Sequence, residues 1–513
     1  MISRRRSRQA ITLVILLFIT INPWWQPAAS TPTRLHPYLI HMAAQQPQAQ
    51  VAVIVQESGH SNQAKEQALA YGAHITRDLW MINAFAAQMN AAAAEELAGH
   101  PSVRWISPDA RVEEASQVME VAAPPVTAFQ IPSGDTDCPA LVNLANLANT
   151  YVRSIGADRL WKEPGMCLNG SGITVAVVDS GIHPHRDLRQ RILSSTQYNT
   201  YTVGMPDRFG HGTHIAGIIG GNGVASSGMY VGVAPAVNLV SVKVSDDTRG
   251  ALTSDVVAGL QWIYENRQSY DIRLVNLSLN STLLESYHTS PLDAALEILW
   301  FNGIVVVVSV GNNGTNGIYP PANDPFLITV GAIDETGTPI PDDDVLATFS
   351  AYGETVDGFK KPELVAPGKN IVSLLSSKKS SLARDHPENL VTNCPKGRCP
   401  YFMMSGTSMS SAVTAGAIAL LLQHEPWLKP DQVKYRLIST ARPFASGNGA
   451  GSLDLYSAVF TQTDLTVNTG ITPSQLLWTG EEQVNWDSVN WGSVSWGSVS
   501  WGSVSWGSDY WDP

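Results

Sequence analysis

The chain has little cysteine and little charge: 4 Cys and 15% charged side chains in 513 residues, against 44% hydrophobic ones. A chain this long and this apolar is neither a disulfide miniprotein nor a disordered tail. Its length suits two to four folded units. Basic residues are the scarcer sign, 32 against 44 acidic, for a net charge of −12. Nucleic-acid binders usually carry a basic patch. Here the basic cluster, Arg4, Arg5, Arg6 and Arg8, sits at the N-terminus. Long hydrophobic runs are scarce too. Residues 11–21 form one, about half of the ~20 residues that span a membrane. No later stretch makes a convincing transmembrane helix. A basic start, a short apolar run and the small residues Ala28, Ala29 and Ser30 read as a signal peptide over residues 1–30. The protein is then secreted and extracellular; an uncleaved anchor is the alternative. An even cysteine count in an exported chain suggests two disulfides. Cys394–Cys399 and Cys138–Cys167 are the favoured of three pairings. Zinc at Cys394 and Cys399 is the other reading, but two Cys do not complete a four-ligand site.

Residues 31–50 are rich in Pro and Gln and read as a leader or linker. Residues 51–115 read as a small interleaved α/β unit. Strands are expected at 51–55, 79–89 and 103–106. Helices are expected at 63–72, ended by Gly72, and at 91–97, capped by Asn90. About 65 residues fold alone only marginally, so docking on the rest of the chain would help. Residues 116–150 form a loose connector with Pro124, Pro125, Ser133 and Gly134. From 151 to 460 one pattern repeats: an apolar β-branched run, a Gly-rich turn, then a helical stretch. The runs lie at 173–178, 239–244, 274–277 and 304–308. Strands apolar on both faces predict an α/β fold, a mostly parallel sheet with helices on both faces. In such sheets the site forms at the C-terminal strand ends. The extension 461–513 closes with Trp486, Trp491, Trp496, Trp501, Trp506 and Trp511, mostly as Trp-Gly-Ser-Val-Ser. A period of five fits neither helix nor strand. This tail reads as low complexity, or as an aromatic strip for a cell-surface or glycan contact.

Three elements carry chemistry. Val178-Asp179-Ser180-Gly181 sets a carboxylate where a buried strand meets a Gly turn. His211-Gly212-Thr213-His214 opens a Gly/Ala-rich helix. Ser405-Gly406-Thr407-Ser408-Met409-Ser410 sets a hydroxyl at a helix N-terminus, where backbone amides favour negative charge. A Ser hydroxyl needs a base to take its proton, and the imidazole needs an acceptor to fix its tautomer. Alone, the Asp and the Ser are ordinary caps, and the His pair lacks the Glu of a metal motif. Together, in the order Asp, His, Ser, they make a catalytic set.

With these motifs the chain resembles the subtilisin-like serine proteases (subtilases) over roughly 151–460. The resemblance implies that Asp179 orients the imidazole, His211 is the general base and Ser408 the nucleophile, with His214 structural. Asn312, which follows a buried strand and Gly311, matches the family's side-chain oxyanion donor. Ser278, Leu279 and Asn280 match the segment that pairs with substrate backbone. The family usually has Gly where Asn280 stands, so this side chain is expected to narrow the pocket or touch substrate. Ser410-Ser411-Ala412-Val413 replaces the frequent Ala-Ala-Pro-His, keeping small residues. Asp187 matches a calcium position of some members, without a complete ligand set. An insertion between Asn370 and Met403 precedes Ser408 and is expected to rim the cleft. Residues 31–115 resemble the inhibitor-type, ferredoxin-like prodomain of many subtilases, cut off within the connector; a permanent accessory domain is the alternative. The reading is a secreted, self-processing serine endopeptidase, monomeric, acting on proteins or peptides and inhibited by its own prodomain. It needs no organic cofactor; structural calcium stays an option. The rivals are a narrow-specificity processing protease and a surface-binding protein with a silent protease fold.

Overall fold

The computed structural model describes residues 34–59, 61–115, 146–201, 204–248, 250–315, 317–392, 394, 400–444 and 449–478. The expected signal peptide, most of the connector, Cys138, Cys399 and the Trp repeats lie outside the described residues.

The N-terminal unit runs α1 (Pro37–Gln45), β1 (Gln50–Glu57), α2 (Gln63–Ala70), β2 (His74–Leu79), β3 (Ala84–Asn90), α3 (Ala91–Ala98), β4 (Val103–Pro108) and β5 (Arg111–Glu114). Four of the strands form an antiparallel sheet in the order β2-β3-β1-β4. Its core joins Val53 and Val55 to Leu39, Ala64, Ala68 and Leu97 of the helices. Four details depart from expectation. Strand β2 was not expected, since Leu79 is its one buried residue. The Pro/Gln-rich leader contains α1: Pro37 starts it, the His36 side chain accepts from the Tyr38 N–H, and Leu39 and Ala43 are buried four residues apart. The strand expected over 79–89 begins only at Ala84. Before it, Trp80–Ile82 makes a turn of 3₁₀ helix and Asn83 takes φ +51°, a left-handed residue that breaks strand geometry. Asn90 stands at the N-cap of α3 without a capping hydrogen bond. Its side chain instead meets Gln48 and Gln50.

The larger unit runs α4 (Thr150–Ser154), α5 (Ala157–Leu160), β6 (Thr174–Asp179), β7 (Ile192–Gln197), α6 (His211–Gly220), β8 (Asn238–Lys243), β9 (Gly250–Leu252), α7 (Thr253–Asn266), β10 (Ile272–Leu277), β11 (Leu279–Ser281), α8 (Pro291–Phe301), β12 (Val305–Ser309), β13 (Ile328–Asp334) and β14 (Val345–Leu346). It continues β15 (Gly353–Glu354), β16 (Lys360–Lys361), β17 (Leu364–Pro367), β18 (Ile371–Leu374), α9 (Ser381–Asp385), β19 (Tyr401–Met404), α10 (Thr407–His424), α11 (Pro430–Thr440) and α12 (Leu455–Phe460).

Among the described residues the main sheet has the order β14-β13-β12-β10-β6-β8-β7, with β17 also paired to β13. All its pairs are parallel except β13–β14. The apolar runs at 173–178, 239–244, 274–277 and 304–308 are its four central strands. Every residue of β6 and β12 is buried, which requires helices on both faces. Helices α6 and α10 pack on each other and on the strands; α7 and α8 form a second such pair. Residues 407–422 of α10 are all buried, as an apolar sequence all round the helix demands. The insertion before Ser408 is the antiparallel hairpin β18–β19 carrying α9. Its Ser381 and Leu382 N–H groups donate to Arg208 and Phe209, directly before His211. Leu476 and Leu477, in the C-terminal extension, join the main core.

The N-terminal unit lies on the second helix pair. Leu252 at the N-cap of α7 gives no side-chain cap. Asp109 of the N-terminal unit takes that role, accepting from the Ser254 N–H at 2.8 Å and the Ser254 hydroxyl at 2.7 Å. Arg77 reaches Asp255 at 2.5 Å on the same helix turn.

Close helix packing makes a testable demand. A Cβ on Gly416 of α10 would lie 2.5 Å from Val233 Cβ. In a Ser408→Ala background, Gly416→Ala is expected to lower stability by about 1–3 kcal/mol despite better helix propensity. Thermal unfolding checks this; an unchanged or higher Tm would contradict it.

Candidate active site

Asp179 ends β6 and is fully buried. The Ser180 N–H donates to its Oδ1 at 2.8 Å. His211 is the first residue of α6. Asp207 anchors that helix by accepting from the Gly210 N–H, the Thr213 N–H and the Thr213 hydroxyl at 2.7, 2.9 and 2.6 Å. The helix start presses on the turn after Asp179: a Cβ on Gly212 would lie 2.2 Å from the Gly181 carbonyl oxygen. This close approach, which needs Gly, brings His211 Nδ1 to 2.8 and 3.0 Å from the two Asp179 oxygens. The carboxylate therefore fixes Nδ1–H, leaving Nε2 as the basic nitrogen.

Ser408 lies in the first turn of α10, and its side chain is buried. Its hydroxyl donates to the Ala115 carbonyl at 2.5 Å, and its N–H reaches the same oxygen at 3.3 Å. His211 Nε2 has no hydrogen-bond partner among the described residues. Asn312 follows Gly311 beyond β12. Its Oδ1 accepts from the Thr407 N–H and the Thr407 hydroxyl, both at 3.0 Å. These bonds orient the carboxamide, with its NH₂ as the other end. Thr407 had no role in the sequence reading; its place beside Ser408 at a helix start was the available signal.

The residues missed most plainly are those of β5. This strand leaves the N-terminal unit and inserts between β11 and β9, antiparallel to both. Glu114, Glu113 and Val112 lie opposite Leu279, Asn280 and Ser281, and the Ala115 N–H donates to the Ser278 carbonyl at 3.1 Å. The segment 278–280 thus pairs with extended backbone, and the peptide it holds is the chain's own. The sequence reading ended the strands of this unit at 103–106, because Arg111-Val112-Glu113-Glu114 holds one apolar residue and nothing local indicated a partner. Asn280 turns its amide NH₂ to the Ser309 carbonyl at 3.1 Å. Its Oδ1 lies 3.7 Å from where a Cβ on Gly311 would stand. The side chain therefore spans from the peptide-binding strand to the end of β12.

The electrostatics are unusual. Glu114 is buried with an oxygen 3.6 Å from His211 Nδ1, so Glu114, Asp179 and His211 cluster. Burial alone would lower the His211 pKa, but Asp179 and then Glu114 outweigh it and hold it up at about 9. His214, one turn on, is held down to about 3 by burial and by His211. Its Nε2 lies 3.1 Å from the Phe402 carbonyl, tying α6 to the β18–β19 hairpin. Asp187 has protein partners for both oxygens, the Ala225 N–H at 2.7 Å and the Tyr401 hydroxyl at 2.5 Å. Its carboxylate joins the loop after α6 to β19. Cys167 and Cys394 are disulfide-bonded rather than free thiols.

Comparison with known proteins agrees with this geometry. Residues 170–469 match the Subtilase family and residues 37–115 match Peptidase inhibitor I9. Serine protease AprX of Bacillus subtilis (strain 168) is 41% identical over 280 residues, 53% of this chain and 61% of that protein. Subtilisin BL of Lederbergia lenta is 34% identical over 289 residues, 56% of this chain and 89% of that protein. The crystal structure of fervidolysin from Fervidobacterium pennivorans, a keratinolytic enzyme related to subtilisin, shares the fold. Its TM-score is 0.64 at 23% identity, over 82% of this chain and 62% of that one. The match therefore spans about three fifths of AprX. The subtilase match covers more than half of the chain, and the chain belongs to the subtilase family.

Proposed function

We propose that the protein is a secreted, self-processing serine endopeptidase whose first substrate is its own chain at the Ala115–Ser116 bond. One observation carries the reading: the Ala115 carbonyl stands on the Ser408 hydroxyl and amide while residues 111–115 pair as a peptide strand. The inhibitor match also ends at residue 115. The bond then lies at the first position of the connector.

In this mechanism His211 Nε2 takes the Ser408 proton as Oγ attacks the Ala115 carbonyl carbon. The oxyanion forms against the Ser408 N–H and the Asn312 NH₂, which Thr407 orients. Asp179 stabilises the imidazolium through Nδ1–H. His211 then protonates the departing Ser116 amine, leaving residue 115 as an ester on Ser408, and water, activated by His211, deacylates it. The α10 N-terminus adds a favourable dipole for the negative charge. Export rests on the basic start and apolar run of residues 1–30. Disulfides Cys138–Cys167 and Cys394–Cys399 would suit an oxidising compartment.

Intact masses of secreted wild type and Ser408→Ala, without reductant, test the function. Wild type is expected to lose residues through 115, and the mutant to keep its prodomain. Equal cutting of both would assign processing to another protease.

The pH dependence follows from the groups facing His211: the carboxylates of Asp179, Glu114 and Asp207, which raise its pKa, and His214, which stays neutral. In the uncut chain the imidazole is protonated below about 9, and only its neutral form is a base. Self-cleavage should therefore speed up as pH rises towards that value. Glu114→Gln removes one of the raising charges and should shift the rising limb to lower pH, with severalfold faster cutting at neutral pH. Rapid-quench gels across pH measure this; an unmoved limb would remove Glu114 from the balance.

Asn280 supports a preference for small residues before the scissile bond, as Ala115 is. Asn280→Gly is expected to raise kcat/KM for Phe over Ala at that position on the order of tenfold. Peptide substrates differing only there check it; an unchanged ratio would free Asn280 from any part in selectivity.

A further inference from the structure

Beyond the cleft strand and the helix pair, the N-terminal unit touches a third element, the segment 472–477 of the C-terminal extension. Three consecutive carbonyls of this segment accept side-chain donors from the N-terminal unit. Gln56 Nε2 donates to Leu476 at 2.5 Å, and the Arg104 guanidinium donates to both Gln475 and Leu477. Gln56 is a buried polar residue at the end of an apolar strand, and its NH₂ also reaches the Ile82 carbonyl at 2.7 Å. Arg104 falls at the register shift between β1 and β4, where Gln56 faces Trp105 and Glu57 faces Val103. Such a bulge re-aims a side chain.

The same segment is bound to the larger unit from the other side. The Ser474 N–H donates to both Glu297 oxygens of α8, at 3.0 and 2.8 Å. The Gln475 N–H reaches the His288 carbonyl at 2.9 Å, and the Tyr287 hydroxyl reaches the Thr472 carbonyl at 2.6 Å. Leu476 and Leu477 are 3% and 1% exposed. The segment is thus bonded on one side to α8 and its preceding loop, and on the other to the inhibitor unit. Departure of that unit would strip three carbonyls of their donors and leave Gln56 without this partner.

We propose that residues 472–477 are a clamp: a second docking site for the prodomain, independent of the catalytic cleft, which sets how long the cleaved prodomain stays bound. The partner is this chain's own C-terminal segment, recognised through its backbone carbonyls. The idea rests on the self-processing reading, since a clamp on release matters only if residues 34–115 are cut free. Prodomain departure then loosens the segment 472–477.

Two measurements on the full chain test the clamp. In wild type, Arg104→Gln should shorten the lag between self-cleavage and onset of peptidase activity at least about tenfold, as loss of its two charge-assisted contacts implies. It should also reduce co-elution of the cut prodomain. An unchanged lag would overturn the clamp. To separate the clamp from an effect of Arg104→Gln on prodomain folding, hydrogen exchange gives a second readout in the uncut Ser408→Ala chain. Peptides covering 472–477 should exchange at least about tenfold faster with Arg104→Gln than without it, while those covering α7 stay protected. Equal exchange in 472–477 would overturn the clamp whether or not processing occurs. Absence of wild-type cleavage would instead overturn the self-processing reading.

Discussion

The arrangement depends on one contact, the Ala115 carbonyl held at the N-terminus of α10. To hold a single carbonyl there, the fold must deliver five groups to one place. The strand order does most of this. Strands β12, β10 and β6 are neighbours in the parallel sheet. Asn312, Ser278 and Asp179 therefore leave the same edge at the C-terminal ends of adjacent strands. Helix α10 supplies Ser408, and being buried along its length it has little freedom to shift. Helix α6 supplies His211, positioned by Asp207 and by the missing side chain of Gly212.

The N-terminal unit behaves as a ligand of this site and as a structural partner of the larger unit. It donates a strand between β9 and β11, caps α7 through Asp109 and hydrogen-bonds to the C-terminal segment through Gln56 and Arg104. Its own core is small, and these contacts explain how it is held. The cleft strand also carries a cost. It buries Glu114 beside Asp179, two carboxylates around one imidazole. That geometry favours the imidazolium, the form that does not act as a base.

The central strands were legible because strands buried on both faces must be apolar throughout, as 173–178 and 304–308 are. The three candidates Asp179, His211 and Ser408 were singled out by their motifs and by their order along the chain, each with a Gly within two residues. The rest depended on partners distant in sequence. Nothing near Arg111–Glu114 announces β9 and β11 as neighbours, since those lie more than a hundred residues on. Helix α1 was concealed by its Pro and Gln content, although Leu39 and Ala43 carry the helical spacing. The later start of β3 was missed because a left-handed Asn83 has no hydrophobic signature. Asp187 resembled a metal ligand by position. Its protein partners, Ala225 in the loop after α6 and Tyr401 at the start of β19, approach it in a way only the fold determines.

The central claim is that Ala115 is the residue presented to Ser408. Determining the first residue of the mature wild-type protein tests this most directly. A new N-terminus at Ser116 is the predicted result. A mature chain whose first cut leaves any later residue of the connector at its start would contradict the account, because the strand register would then be inhibitory without being the register of cleavage.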